Sequence, residues 1–259
     1  MTLNFSLDAI NMFALTFCRI GGMILFNPLL SRKNIPTQFR LALVLALTVT
    51  IAPGLTLDPI EQLEGFALFW AMVKELFAGL CFGMLFEIYY YMLFVAGDVI
   101  DTGFGLSMAK AFDPATNIQL SMSGNFFQLL FIIYFFVCDC HLLFIKLIDS
   151  TFDLVGLGAM SFGADVGSFL CTQFVYSFGL IMHLALPFIA ASFVLEIAMG
   201  VLMKLISQIN VFSIHFQFKI VLGLGLLFLF AVPITNFMQS YISELFVQMQ
   251  TMLRAIMPQ

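Results

Sequence analysis

Charge is what this chain has least of. Lysine and arginine number 10 and aspartate and glutamate 15 in 259 residues, so 10% of positions are charged and the formal net charge is -5. A soluble domain is about one quarter charged. A chain with less than half of that share cannot cover itself with a hydrated surface. The acidic balance also excludes nucleic acid as a partner, because phosphate binding needs a basic patch and the sequence has none. Histidine is scarce: His183 and His215 are isolated, and His141 closes the tract Cys138-Asp139-Cys140-His141. A closed zinc site usually needs four ligands at suitable spacing; no second cluster stands ready, so no metal is expected. The five cysteines, Cys18, Cys81, Cys138, Cys140 and Cys171, are an odd set lying mostly in apolar runs. They read as small apolar residues and not as a disulfide framework. Also missing are a glycine-rich loop ending in Lys-Ser/Thr, a Gly-x-Ser-x-Gly elbow and a His-Glu-x-x-His pair. Neither a catalytic centre nor a cofactor is expected. A cleavable signal peptide is not expected either, since the first basic residue, Arg19, falls inside the first apolar run instead of ahead of it.

What fills the chain is apolar. Hydrophobic residues make up 62%, with 33 Phe and 16 Met, and the mean hydropathy is +1.06. Lipid or other apolar helices must replace water around much of it. Six apolar stretches stand out, at residues 7–30, 39–57, 66–97, 125–147, 167–203 and 218–235. About 20 helical residues cross a bilayer core, so the third and fifth are too long for one simple crossing. Pro187 is expected to break the fifth, since proline removes a backbone donor and clashes with the preceding turn. Gly79 and Gly83 in the third form a small-xxx-small face suited to close helix packing. The fold class expected is all-α, a polytopic membrane protein of long, broken helical hairpins. Basic residues cluster in alternate connections, Arg32, Lys33 and Arg40 in one and Lys204 and Lys219 in another. The positive-inside rule then puts those connections inside and both chain ends outside.

Charges inside apolar stretches are costly and should face protein or water. Arg19, Lys74, Glu75, Glu87, Asp139, Lys146 and Glu196 are of this kind; pairing between helices or snorkelling accounts for most of them. No Asp/Glu/His series continues across several stretches, as a proton relay would need. The tail, residues 237–259, differs in kind. Met238, Ile242, Leu245, Met249, Met252 and Ile256 repeat at spacings of four and three, which puts them on one helical stripe. A helix lying on a membrane surface would carry several basic residues, and this one has only Arg254. The stripe is therefore expected to dock onto a partner helix.

Residues 98–124 are the most informative connection. Gly103, Gly105 and Asp113-Pro114 supply turn chemistry, with small polar residues at Ser107, Thr116, Asn117, Ser121 and Ser123. Phe104, Leu106, Met108 and Phe112 are mixed among them. A solvated loop would not expose so many apolar groups. Irregular backbone with such side chains is tolerated at membrane depth only where protein buries it or a cavity accepts it.

In these residues the sequence resembles the FliR family, the single-copy subunit of the type III export gate of bacterial flagella, related to SctT of injectisomes. The resemblance runs through Arg19-Ile20-Gly21-Gly22-Met23, Pro28, Ile35-Pro36, Arg40, Pro53, Lys74-Glu75-Leu76, Gly79, Gly83 and Ala96-Gly97. It continues in Gly103-Phe104-Gly105, Met108-Ala109, Phe112-Asp113-Pro114, His141, Phe152, Ala185-Leu186-Pro187, Gln208-Ile209-Asn210-Val211-Phe212 and Lys219. Order and spacing together carry it, over nearly the whole chain. Asp98, Cys140 and Ser207 depart from the family pattern, which bears on local loop geometry.

The resemblance implies one integral export-gate domain, 1–259, like a fusion of the FliP and FliQ folds. It implies assembly with FliP and FliQ, contact with FlhB and proximal rod proteins, and passage of unfolded exported proteins. The site would be the inner membrane at the flagellar basal body. A plug would be formed by Gly103, Phe104, Gly105, Leu106, Met108, Phe112, Asp113 and Pro114. Gly79, Gly83 and Pro187 would serve helix packing, and Arg19, Glu75, Met238, Ile242, Leu245, Met249 and Met252 would contact partners. The competing reading is a secondary transporter for a small solute or ion, which calls for inverted repeats and paired charges at mid-membrane; no clear repeat is visible. An intramembrane enzyme is a third reading and lacks a catalytic constellation.

Overall fold

Where water is absent, a backbone must satisfy its own hydrogen bonds, and a helix does so within a single segment. A computed structural model describes residues 7–30, 35–55, 65–108, 121–159, 164–205 and 211–256. Among these residues the regular structure is helical throughout. The helices are α1 (Leu7–Leu25), α2 (Thr37–Ile51), α3 (Phe66–Gly103), α4 (Met122–Val137), α5 (Cys140–Leu154), α6 (Ala164–Leu205), α7 (Val211–Leu229) and α8 (Ala231–Ile256). Single 3-10 turns follow at Ala52–Gly54 and Leu106–Met108. The expected all-α polytopic membrane class is what forms. Four helices are long and apolar enough to cross a membrane, or six spans result if each of two bent helix pairs makes one crossing.

Several boundaries differ from expectation, each for a local reason. The connection expected from Asp98 starts later, because α3 stays helical to Gly103; α4 begins at Met122, before the connection was expected to end. The tail helix starts at Ala231 and not at Phe237. Pro187 does not break α6, which runs unbroken for 42 residues with the proline inside it. Buried Leu184, Ala185 and Phe188 flank it, so packing on both sides keeps the backbone helical across the missing donor.

The helices break elsewhere. The fourth apolar stretch divides at Asp139, which takes a left-handed conformation (φ 55°, ψ 22°), a region that Asp enters more readily than most residues. Its carbonyl then accepts the amides of Leu142 and Leu143 at 3.0 and 3.2 Å and starts α5. The tract Cys138-Asp139-Cys140-His141 is therefore a helix corner. The sixth stretch bends at Phe230. Pro233 lies three residues beyond and has no N–H for the Leu229 carbonyl, so α7 ends there.

The described chain forms two compact units, each drawn from separate stretches. The first comprises Met1–Ile88, Cys138–Phe174 and Glu244–Gln259, and the second Tyr89–Val137 and Val175–Ser243. In the first unit, α1 and α3 touch backbone to backbone. A Cβ added to Gly22 would lie 2.6 Å from the Leu76 carbonyl oxygen and 2.8 Å from the Gly79 Cα. One on Gly79 would collide with the Arg19 carbonyl oxygen, and one on Gly83 would sit 2.8 Å from the Phe26 Cβ. Phe86 of α3 meets Phe144 of α5 edge-on at 5.8 Å. In the second unit, Tyr241 of α8 lies 5.1 Å from the Tyr89 ring and donates its hydroxyl to the Tyr89 carbonyl at 2.9 Å. Phe188 of α6 packs on Phe230 at 5.5 Å.

The outside stays apolar. Phe228 is 86% exposed and Phe66 81%, and Trp70, Val137, Phe193 and Val221 are exposed as well. A water-facing monomer rarely leaves so many large apolar side chains exposed; lipid or neighbouring helices must cover them.

Replacing Gly79 by Ala should force α1 and α3 apart and cost about 2–3 kcal/mol, in the range for overpacking a tight core. Gly225→Ala on α7, where nothing lies within 4 Å of the new methyl, should leave stability equal or raise it by about 0.5 kcal/mol. Thermal unfolding of the two variants in detergent checks this; equal melting temperatures would contradict the close approach.

Candidate gating segment and the buried anchor

Arg19, on α1, is fully buried, as is Glu75 on α3. The glycine contact places them face to face, Arg19 one turn before Gly22 and Glu75 one turn before Gly79. Arg19 donates from Nε to Glu75 Oε2 at 2.5 Å and from Nη2 to Oε1 at 2.9 Å. Nη1 reaches the carbonyls of Thr151 and Val155 at 2.8 and 3.0 Å, and Nη2 also that of Gly156 at 3.4 Å. Each guanidinium N–H thus has an acceptor. The Phe152 ring centroid lies 4.4 Å from its central carbon, within cation–π range. Those carbonyls end α5, where the helix dipole favours a cation. Glu75 Oε1 also accepts the Gly158 amide at 2.7 Å, from a turn whose Gly158 has φ 76°. One ion pair therefore ties α1, α3 and the end of α5 together.

The second unit holds the stretch around Gly103. Asp101, 1% exposed near the end of α3, accepts the Ser121 hydroxyl at 2.6 Å and the Ser123 amide at 3.2 Å. Ser121 accepts the Gly124 amide through its Oγ at 2.9 Å. That is an N-cap bond to the third residue of α4, and the carboxylate adds negative charge at the positive end of that helix. A Cβ on Gly97 would overlap the Gly124 backbone, so α3 and α4 touch at this level. The result is a neck joining two points 20 residues apart in sequence.

Beyond the neck the chain leaves the α3 axis. Phe104 is buried and rests on Gly223 of α7, where an added Cβ would lie 2.7 Å from the ring. Gly105 has φ 73°, and its position faces Phe216, whose ring would be 3.2 Å from an added Cβ. Lys219, from the same face of α7, pairs with Glu196 of α6 at 2.6 Å, the lysine mostly covered and the glutamate about half exposed. Leu106, in the short 3-10 turn, is half-buried.

Sequence comparison places this architecture. The family described as bacterial export proteins, family 1, matches residues 10–245. The chain belongs to that family. The flagellar biosynthetic protein FliR of Escherichia coli (strain K12) is 26% identical to it over 242 residues, covering 93% of this chain and 92% of that protein. The protein of the same name from Bacillus subtilis (strain 168) is 26% identical over 227 residues, covering 84% and 85%. That from Caulobacter vibrioides is 27% identical over 216 residues, covering 83% and 86%.

Against this export-family frame, the expected site residues fall into three groups. Phe104 and Gly105 lie against α7 and Gly103 faces Ser192 of α6; Leu106 and Met108 follow in the 3-10 turn, while Phe112, Asp113 and Pro114 lie outside the described residues. Gly79 and Gly83 meet α1 directly. The residues expected to contact partners lie inside the chain. Arg19 and Glu75 are spent on each other inside the chain, because no partner is needed to satisfy them. Met238, Ile242, Leu245, Met249, Met252 and Ile256 are all buried in the chain itself, so the stripe on α8 is core and not a free docking face. Asp101 was not singled out from the sequence. The signal for it was slight: Ser121 at the head of an apolar run marks a helix start, but nothing local says which carboxylate would reach it.

Arg19→Met should cost about 3–5 kcal/mol, since it strands Glu75 and the α5 carbonyls in an apolar interior. Adding Glu75→Leu should restore part of that loss. Yield and melting temperature of single and double variants in detergent test the coupling, and strict additivity would show that the two residues act independently.

Proposed function

We propose that this chain is the FliR-type subunit of the flagellar export gate, a structural and gating component of the inner membrane at the basal body and not an enzyme. Its assembly partners in this reading are FliP and FliQ, with FlhB and proximal rod proteins nearby, and its cargo is unfolded flagellar protein. The match of the export family to residues 10–245 carries the reading. The exposed apolar sides of α3, α6 and α7 support it, because a subunit that packs among other helices needs such faces. A small-solute transporter is the weaker reading: no repeat supports it, and the relatives bear the name of a flagellar biosynthetic protein.

Within that role we assign residues 103–117 to a plug. Support comes from the part that is described, where two glycines flank a buried phenylalanine seated on α7. Glycine allows the backbone to refold at low cost, and an apolar seat can be left and regained without breaking an ion pair.

Deleting residues 105–116 in cells that express the remaining gate subunits should produce an ion leak while the gate still assembles. Tight membranes with normal export would remove the plug assignment and leave a scaffold role.

A further inference from the structure

Two thiols flank the left-handed residue at the head of α5. Cys138 is exposed and Cys140 buried, and both are free. In a right-handed helix, side chains two residues apart do not face each other. Asp139, at φ 55° and ψ 22°, breaks that pattern, and the Cys140 thiol turns back onto the Cys138 carbonyl oxygen at 3.8 Å. Helical geometry of either hand sets Cα atoms two residues apart at about 5.4 Å, inside the roughly 4.4–6.8 Å that a disulfide spans. The Asp139 side chain is exposed and makes no capping bond. A carboxylate without such a partner needs water, so water stands beside Cys138. From this corner α5 leads to residues 155–163, which hold no lysine or arginine; the charge rule leaves that side outside. For a protein of the bacterial inner membrane, the outside is an oxidising compartment.

We propose that Cys138 and Cys140 form a reversible disulfide site, closed by exchange with a disulfide oxidant on the outer side of the membrane. The exposed Cys138, as thiolate, attacks one sulfur of the oxidant, forming a mixed disulfide and releasing one thiol. Cys140 then attacks the Cys138 sulfur, closes the Cys138–Cys140 bond and releases the second thiol. Two thiols of the chain are oxidised, one disulfide of the oxidant is reduced, and the two protons pass to the released sulfurs. The closed ring holds residue 139 left-handed. It thereby fixes the turn that starts α5, the helix whose last carbonyls bond Arg19. The outer placement rests on the inner-membrane setting proposed above, whereas the pairing rests on geometry and owes nothing to gating.

The unaltered full chain, in membranes of cells that assemble the gate, serves for the test. Its tryptic peptide 111–146 contains these two cysteines and no other. Unfolded in an alkylating reagent without reductant, that peptide should weigh two hydrogens less than its thiol form and carry no alkyl group. After reductant it should carry two. Cys171, exposed and free, is the control and should be alkylated in both samples. Glutathione disulfide added to isolated membranes tests the pairing apart from the placement. Two alkyl groups even there would overturn the pairing, and closure there but not in cells would overturn the oxidising placement. Cys140→Ser should leave Cys138 fully alkylated without reductant; a Cys138 that stays blocked has another partner, which would overturn the internal bond. None of these failures touches the gating reading, which the deletion of residues 105–116 tests through ion leak.

Discussion

A guanidinium in an apolar interior has no water to fall back on, and every N–H that it fails to place counts against the fold. Arg19 meets this demand with one carboxylate and three carbonyls. Much of the first unit follows from that. Glu75 has to stand opposite, so α3 must run close to α1, which only the glycine contact at Gly22 and Gly79 allows. The end of α5 has to present its carbonyls, and the turn after it has to return the Gly158 amide to Glu75. A buried ion pair is weak evidence of net stability, because desolvation cancels much of the attraction. Its value here is geometric: few arrangements of three apolar helices satisfy all of these groups at once.

The features legible in the sequence were those with a signal summed over many residues. Helical class, span-sized apolar runs and the family resemblance all depend on long stretches. Local breaks were harder. Pro187 and Pro233 are the same residue type in apolar surroundings, yet only the second lies beside a helix end, because packing around Pro187 outweighs the lost donor. Asp139 looked like part of a metal tract, although its property of consequence is tolerance of a left-handed backbone. The α8 stripe was correctly periodic, but periodicity reports that a face is covered and not what covers it. Here the cover is the chain itself. Arg19 and Glu75 lie 56 residues apart, and Asp101 and Ser121 lie 20 apart. No short-range pattern pairs them, so both anchors stayed hidden as pairs until the helices were in place.

The long helices add a constraint of their own. At 1.5 Å per residue, the 38 residues of α3 and the 42 of α6 extend about 57 and 63 Å. Either is roughly twice the ~30 Å of a hydrocarbon core. Neither helix can lie wholly within that core unless it is steeply tilted, yet both carry exposed apolar residues such as Phe66, Trp70, Phe193 and Leu205. Apolar residues beyond the reach of lipid need protein against them. This is the strongest physical reason to regard the chain as one member of a larger helical assembly, and it does not depend on the family match.

The gate proposed above would have to hold a seal and release it without unfolding its frame. The bonds of Asp101 and the seat of Phe104 would divide that labour by energy scale. A buried carboxylate left without its hydrogen-bond partners costs more than the about 1–3 kcal/mol of a neutral polar group, whereas a fully buried phenylalanine side chain contributes about 1.5–3 kcal/mol. A chain moving through the gate can offer apolar side chains of its own in exchange for the seat on α7, so the net cost of displacing Phe104 falls below even that figure. It cannot easily offer a replacement for the Asp101 carboxylate at the head of α4. In that reading, the contact of Phe104 with α7 would part before the bonds of Asp101 do.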